Sequence, residues 1–303
     1  VNTENNKIIL SVLLPTYNYL EGLKKIFSQL ELLAIPQIWC YIEICIRDNS
    51  DNDYIQNWVE ENILGSLPVV YKRNIPPTTP CENWNELIHK SRGRYYILMH
   101  HDEFPLTSNF ILEALKEIER HKDTDIIVMD CLLMDKSSGS LRRHVPSFIR
   151  KKVFERFPEY LFIRNVIGAT ASLIVKKSLH SSFDCSLEWL IDVDEYYCLR
   201  QRAKYWSLSS DLKIGSYIDR GNSITSSLGD KISYIRQQEF KYLLKKHPKA
   251  LPYLRSNKLC RLLENISWIG MRVITRTYWY IVNSFGKYPV SKEMARKAFI
   301  VNR

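Results

Sequence analysis

Four short apolar runs in the first hundred residues each break into a polar cluster, and helical patterns separate them. Residues 8–14 (IILSVLL) stop at Pro15, and Thr16-Tyr17-Asn18 turns the chain. Residues 41–46 run into Arg47-Asp48-Asn49-Ser50-Asp51-Asn52-Asp53, and residues 68–71 lead to Lys72-Arg73-Asn74 and a Pro-rich loop. Residues 95–99 follow Gly93 and break into His100-His101-Asp102-Glu103. Short runs rich in β-branched and aromatic residues, bounded by Gly, Pro, Asn or Asp, predict buried strands. Between them Leu20, Leu23, Ile26, Phe27, Leu30 and Leu33 recur at helical spacing, and residues 54–61 and 82–91 read as further helices. Alternating strand and helix predicts an α/β fold with a mostly parallel sheet flanked by helices. Its polar clusters then share the edge where open α/β sheets bind ligands.

Length and charge set the wider organisation. With 303 residues, the chain is long enough for two domains or for one large domain with an appendage. The expected division is 1–104, 105–228 and 229–303. Seven cysteines without CxxC spacing argue against a zinc site or a disulfide framework and for a reducing compartment. No signal-like segment opens the chain, and no apolar run approaches the length of a membrane span. Of 43 basic and 33 acidic residues, 14 and two lie from Lys241 onward, so the basic charge belongs to the C-terminal segment. There Leu259, Leu262, Leu263, Ile266, Ile269 and Val273 form an apolar stripe beside Arg261, Arg272 and Arg276. A basic amphipathic helix suits either an anionic membrane surface or packing on the body of the protein. No nucleic-acid recognition motif accompanies the charge.

The polar clusters carry the candidate chemistry. Oxygen ligands at His100–Glu103 suit a hard divalent cation, which in turn suits a diphosphate; a polar surface loop would read the same way. Asp48 is placed to accept from a base N–H or a ribose hydroxyl, though an Asx turn also explains it. Arg73 is equally a ligand contact or a solvated cation. Asn83 and Asn85 flank Trp84 early in a helix, where Asn83 also fits as a cap. In Trp189–Arg200, helical spacing puts Asp192 and Glu195 on neighbouring positions, and the helix macrodipole alone would favour Asp192 and Asp194 near its start.

Together PTYN at 15–18, RDNSDND at 47–53, CENWNELIHKSRGRYYILMHHDEF at 81–104 and WLIDVDEYYCLR at 189–200 resemble the successive motifs of family 2 glycosyltransferases with the GT-A fold. The resemblance runs over residues 8–228 and implies an inverting transfer of a sugar from a nucleotide diphosphate. It places Pro15, Thr16, Tyr17, Asp48, Arg73, Asn85, His100 and His101 at the nucleotide-sugar donor. It also makes Asp102 and Glu103 the ligands of Mg²⁺ or Mn²⁺, where the family usually shows DXD and this chain has His100-His101-Asp102. Asp192 aligns with the general base, with Asp194 and Glu188 as substitutes, and Arg220 is a candidate phosphate contact where relatives often carry His. The expected acceptor is a glycan, polyprenyl-diphosphate-linked, in bacterial surface polysaccharide (O-antigen, lipopolysaccharide or capsule) synthesis. The enzyme would be cytoplasmic and peripheral on the inner face of the plasma membrane. The altered DXD also leaves room for a non-catalytic nucleotide-sugar or glycan-binding module.

Overall fold

The computed structural model describes residues 8–32, 35–135, 138–218 and 228–250; Arg220 and the expected stripe at 259–273 lie outside them. The chain divides into two compact units. One comprises residues up to Asp130 with Ala169–Cys185 and Arg202–Gly215; the other comprises Cys131–Gly168, Ser186–Gln201 and residues from Ser216 on. The boundary expected at 104 falls inside a strand, and both units are assembled from separated stretches of chain.

In the first unit the elements β1 (Leu10–Thr16), α1 (Leu20–Leu30), β2 (Ile42–Asp48), α2 (Tyr54–Asn62), β3 (Val69–Arg73), α3 (Pro80–Lys90) and β4 (Tyr95–Leu98) alternate as the sequence predicts. β1 pairs in parallel with β2 and β4, with Leu10 opposite Ile42 on one side and Tyr95 on the other, and β2 pairs in parallel with β3. Every residue of β1 is buried, which is why it reads as a continuous apolar run. Its buried Ser11 hydroxyl donates to Glu43 Oε1 at 2.7 Å and accepts from Gly93 N at 2.9 Å. A Cβ on Gly93 would lie 2.5 Å from that hydroxyl, so only glycine leads into β4 at this distance. α3 begins on a capping box in which Thr79, not Asn83, is the cap and Glu82 its partner.

The chain continues through β5 (Glu103–Pro105), α4 (Phe110–Arg120), β6 (Ile126–Met134), β7 (Leu141–Arg143), α5 (Ser147–Arg156), β8 (Leu173–Lys176), α6 (Ile191–Arg202), β9 (Trp206–Tyr217) and α7 (Ile232–Lys246). Strand order is β3-β2-β1-β4-β8-β6-β9-β5, with β7 on β6. Because β8 lies antiparallel between β4 and β6, the sheet is mixed rather than mostly parallel. The GT-A-like α/β architecture is otherwise the expected one.

One sequence expectation is overturned. Cys81 and Cys185 form a disulfide across 104 residues, with Cα atoms 5.4 Å apart. No local spacing announces it, because the fold brings the start of α3 beside the segment after β8. In the second unit, β7 pairs with the end of β6, and α5 stops at Arg156, two residues before Pro158 opens a short 3₁₀ turn. Phe162, Tyr197 and His247 pack their rings together with centroids 4.7–5.5 Å apart. Among the described residues no helix is long and apolar enough to cross a membrane.

Candidate active site

The loops after β1 and β2 are knitted together. Asn18, in the left-handed region at φ 49°, donates through its backbone N to Ser50 Oγ at 2.8 Å and through Nδ2 to Asp51 at 2.9 Å. The Tyr17 hydroxyl donates to the same Asp51 carboxylate at 2.8 Å, which holds a ring that is 51% exposed. Pro15 and Thr16 are buried, and among the described residues Thr16 Oγ1 has no hydrogen-bond partner. The expected nucleotide anchor, Asp48, has no exposed surface. It accepts from Ser50 N at 2.8 Å, Ser50 Oγ at 2.5 Å and Tyr71 Oη at 2.8 Å. Asp48 thus shapes the 48–53 loop, and a nucleotide reaching it would have to displace Tyr71. Among the described residues Arg73 makes long contacts of 3.4 Å to Gln56 and to the Ser50 carbonyl, and its buried Nε meets no hydrogen-bond partner.

His100-His101-Asp102-Glu103 forms a floor between β4 and β5. Glu103 is buried and binds backbone on both sides of itself. It accepts from His100 N at 3.0 Å, Thr170 N at 3.1 Å and Ala171 N at 3.2 Å, as well as from the Thr170 hydroxyl. Burial, then the neighbouring Asp102 charge, raise the Glu103 pKa, and these backbone donors oppose the rise. With its oxygens so engaged, Glu103 clamps the 170–172 turn to the floor. His100 lies against Trp84, ring centroids 4.7 Å apart, and its buried Nε2 has no hydrogen-bond partner among the described residues. Burial lowers the His100 pKa, which leaves it a neutral ring at neutral pH. His101 meets Tyr19 edge-on at 5.3 Å. A Cβ on Gly22 of α1 would lie 2.1 Å from the His101 carbonyl oxygen, so a glycine lets α1 pack directly on the floor.

Ligand atoms of His100, Asp102 and Glu103 lie within 4.8 Å of one another. Asp102 is half-buried, and no hydrogen bond to a described residue occupies its carboxylate. A carboxylate without a described hydrogen-bond partner and an imidazole nitrogen within 4.8 Å of it form a donor set that fits Mn²⁺ or Mg²⁺. Asn85, expected at the donor, has both ends of its amide in use. Nδ2 donates to the Phe183 carbonyl at 3.1 Å, and Oδ1 accepts from Phe183 N at 2.7 Å. It thereby clasps the strap that carries Cys185. Trp84, which sequence reasoning noted only as a neighbour of the asparagines, is the aromatic wall behind His100.

In the second unit Asp192 sits in the first turn of α6. Its Oδ2 accepts from Asn165 Nδ2 at 2.8 Å and its Oδ1 from Val193 N at 2.8 Å. Asn165 is itself fixed, because its Oδ1 accepts from Ile167 N at 3.0 Å and from Gly168 N at 2.9 Å. Burial outweighs these donors and pushes the Asp192 carboxyl up from 3.8 to about 6. A carboxylate with that value is ionised at neutral pH yet more basic than an ordinary one, as a proton acceptor should be. The two substitutes are less suited. Asp194 is 3% exposed and bound by Lys246 Nζ and His247 Nε2 at 2.7 Å each, which makes it an ion-pair anchor; Glu188 is exposed. Asn165 opens a stretch, 165–175, that resembles a pocket-lining segment of the family, but its hold on Asp192 was not read from the sequence, and Glu239, which caps the approach to α6, escaped sequence reasoning. The only signal for Glu239 was a lone acid four residues before an apolar Leu243 in a basic helix.

Residues 11–179, from β1 to just past β8, match the model of Glycosyl transferase family 2. No curated protein sequence matches the chain. Among solved structures, S. aureus TarS 1–349 in complex with UDP-GlcNAc is similar at 18% identity and a TM-score of 0.54, over 72% of this chain and 61% of that one. TarS 1–349 in complex with UDP gives 17% identity and 0.51, over 70% and 61%. A longer S. aureus TarS structure gives 17% and 0.52, over 70% and 37%. The chain therefore spans less than two thirds of each of these structures, and likeness at this identity speaks to the fold.

Proposed function

Because the chain belongs to glycosyl transferase family 2, we propose that it transfers one sugar from a nucleotide-diphosphate donor to a glycan acceptor, with inversion and with Asp192 as general base. The observation that carries this reading is the Asp192 carboxylate, oriented by Asn165 and raised to about 6 by burial. It takes the proton of the acceptor hydroxyl as that oxygen attacks the anomeric carbon, the diphosphate leaving from the opposite face. Tyr17 offers a flat exposed ring for the base, and the loosely held Arg73 offers a cation for the nucleotide. Asp102, with a ring nitrogen of His100 within 4.8 Å, would hold Mg²⁺ or Mn²⁺, whose Lewis acidity would stabilise the departing diphosphate.

The TarS structures with UDP and UDP-GlcNAc support testing uridine donors first. A surface polysaccharide acceptor carried on a polyprenyl diphosphate, and work at the inner face of a bacterial plasma membrane, agree with the basic charge from Lys241 onward. Thermal shifts with UDP-, GDP-, dTDP- and CDP-sugars in the presence of Mn²⁺ test donor binding, since a ligand of the folded state raises apparent stability. Stabilisation by one base class with sugar release is expected. A shift without sugar transfer or hydrolysis would favour the non-catalytic module, and no shift with any donor would refute the proposal.

A further inference from the structure

Glu239 lies on α7 with 7% of its surface exposed. Its carboxylate accepts the backbone N–H groups of Glu188 at 2.6 Å, Trp189 at 3.1 Å and Leu190 at 2.7 Å. These three groups lead directly into α6, whose first helical bond runs from Asp194 N to the Leu190 carbonyl at 2.9 Å. Successive N–H groups at a helix start converge favourably on an anion, and here the anion is a side chain from another helix. A buried carboxylate is costly to desolvate unless it is well bonded. A helix that only had to pack would present an apolar residue at that position. Instead, Glu239 and Leu243 are the buried residues of α7, and the acid grips the backbone two residues before Asp192. About two turns further along, Lys246 at the end of the same helix and His247 just past it bind Asp194.

We infer that Glu239 is a positioning residue for Asp192: through the 188–190 backbone it fixes the turn from which Asp192 projects, making α7 part of the catalytic apparatus. This rests on the reading of Asp192 as the base. Several of the described residues hold this turn. Glu239 reaches it from α7, neutral Asn165 binds the carboxylate, and His144 binds the Asn165 carbonyl at 2.9 Å; Asp194 is ion-paired with Lys246 and hydrogen-bonded to His247. Of these, the Glu239 charge acts on Asp192 to raise its pKa.

The test uses the full chain without ligand. Carbon-detected titration of Asp192, assigned by its loss in D192N, is run on wild type, E239Q and E239D beside amide hydrogen exchange at residues 188–190. In E239Q the midpoint should fall from about 6 by about half a pH unit, and the three amides should exchange about tenfold faster or more. E239D keeps the charge but falls one methylene short, so it should speed exchange while leaving the midpoint near wild type. Either readout unchanged in folded E239Q overturns the inference. If E239Q does not fold, unchanged protection in E239D overturns it instead. A failure of the base assignment shows separately, as sugar transfer retained by D192N.

Discussion

Replacing Asp192 by Asn should change how the protein's stability responds to pH, with or without substrate. Burial raises Asp192 from 3.8 to about 6. A carboxyl with a raised folded pKa binds its proton more tightly in the folded chain. Its contribution is therefore fully present below the unfolded value and is lost as pH rises through about 6. Two pH units at about 1.4 kcal/mol each give about 3 kcal/mol, an upper limit because the carboxylate is not wholly cut off from water. Asn carries no such penalty. It does lose a hydrogen bond, because the two carboxylate oxygens each face a donor, Val193 N and Asn165 Nδ2, and Asn puts an NH₂ in place of one of them; that cost is about 1 kcal/mol. D192N should thus be the less stable protein near pH 4 and gain on wild type by up to about 3 kcal/mol by pH 7. Urea denaturation of both proteins across this range measures the difference. A difference that stays constant with pH would refute the claim that burial makes Asp192 an unusually strong base.

Two further outcomes follow from the floor between β4 and β5. D102N should reduce the gain in donor affinity that Mn²⁺ provides by about tenfold or more, read by calorimetry with and without the ion. Equal affinities for wild type and D102N in Mn²⁺ would remove Asp102 from the metal site. G22A must move α1, since its Cβ would lie 2.1 Å from the His101 carbonyl and 2.5 Å from the Tyr19 ring. A loss of about 1–3 kcal/mol in denaturation, with weaker donor binding, is expected. An unchanged urea midpoint would show that this close approach does not constrain the site.

In the parallel half of the sheet β1 and β4 were legible because they are buried along their whole length and read as apolar runs, whereas β3 alternates half-buried and exposed residues. The ends of elements were less legible. The helix expected over 19–33 ends at Leu30, where Glu31 turns left-handed at φ 49°, and the strand expected over 68–71 runs from Val69 to Arg73. Polar clusters after strands located the site region, but composition could not say which polar atoms the protein itself would consume. Glu103 and Asp48 look like ligands in sequence and are largely committed to backbone and side-chain donors in the fold. Asn85 is fully committed to Phe183, 98 residues away. The Cys81–Cys185 bond and the Glu239 cap depend on long-range neighbours that no periodicity records. Asp192 was found by motif, whereas its basicity is a property of burial.

The central claim is that Asp192 takes the acceptor proton. Single-turnover sugar transfer from the donor that binds, compared between wild type and D192N with donor affinity measured in parallel, tests it most directly. Donor affinity within about twofold and a transfer rate lower by about a thousandfold or more are predicted, since the base acts in the transition state and not in donor binding. Transfer by D192N at a rate near wild type would contradict the account.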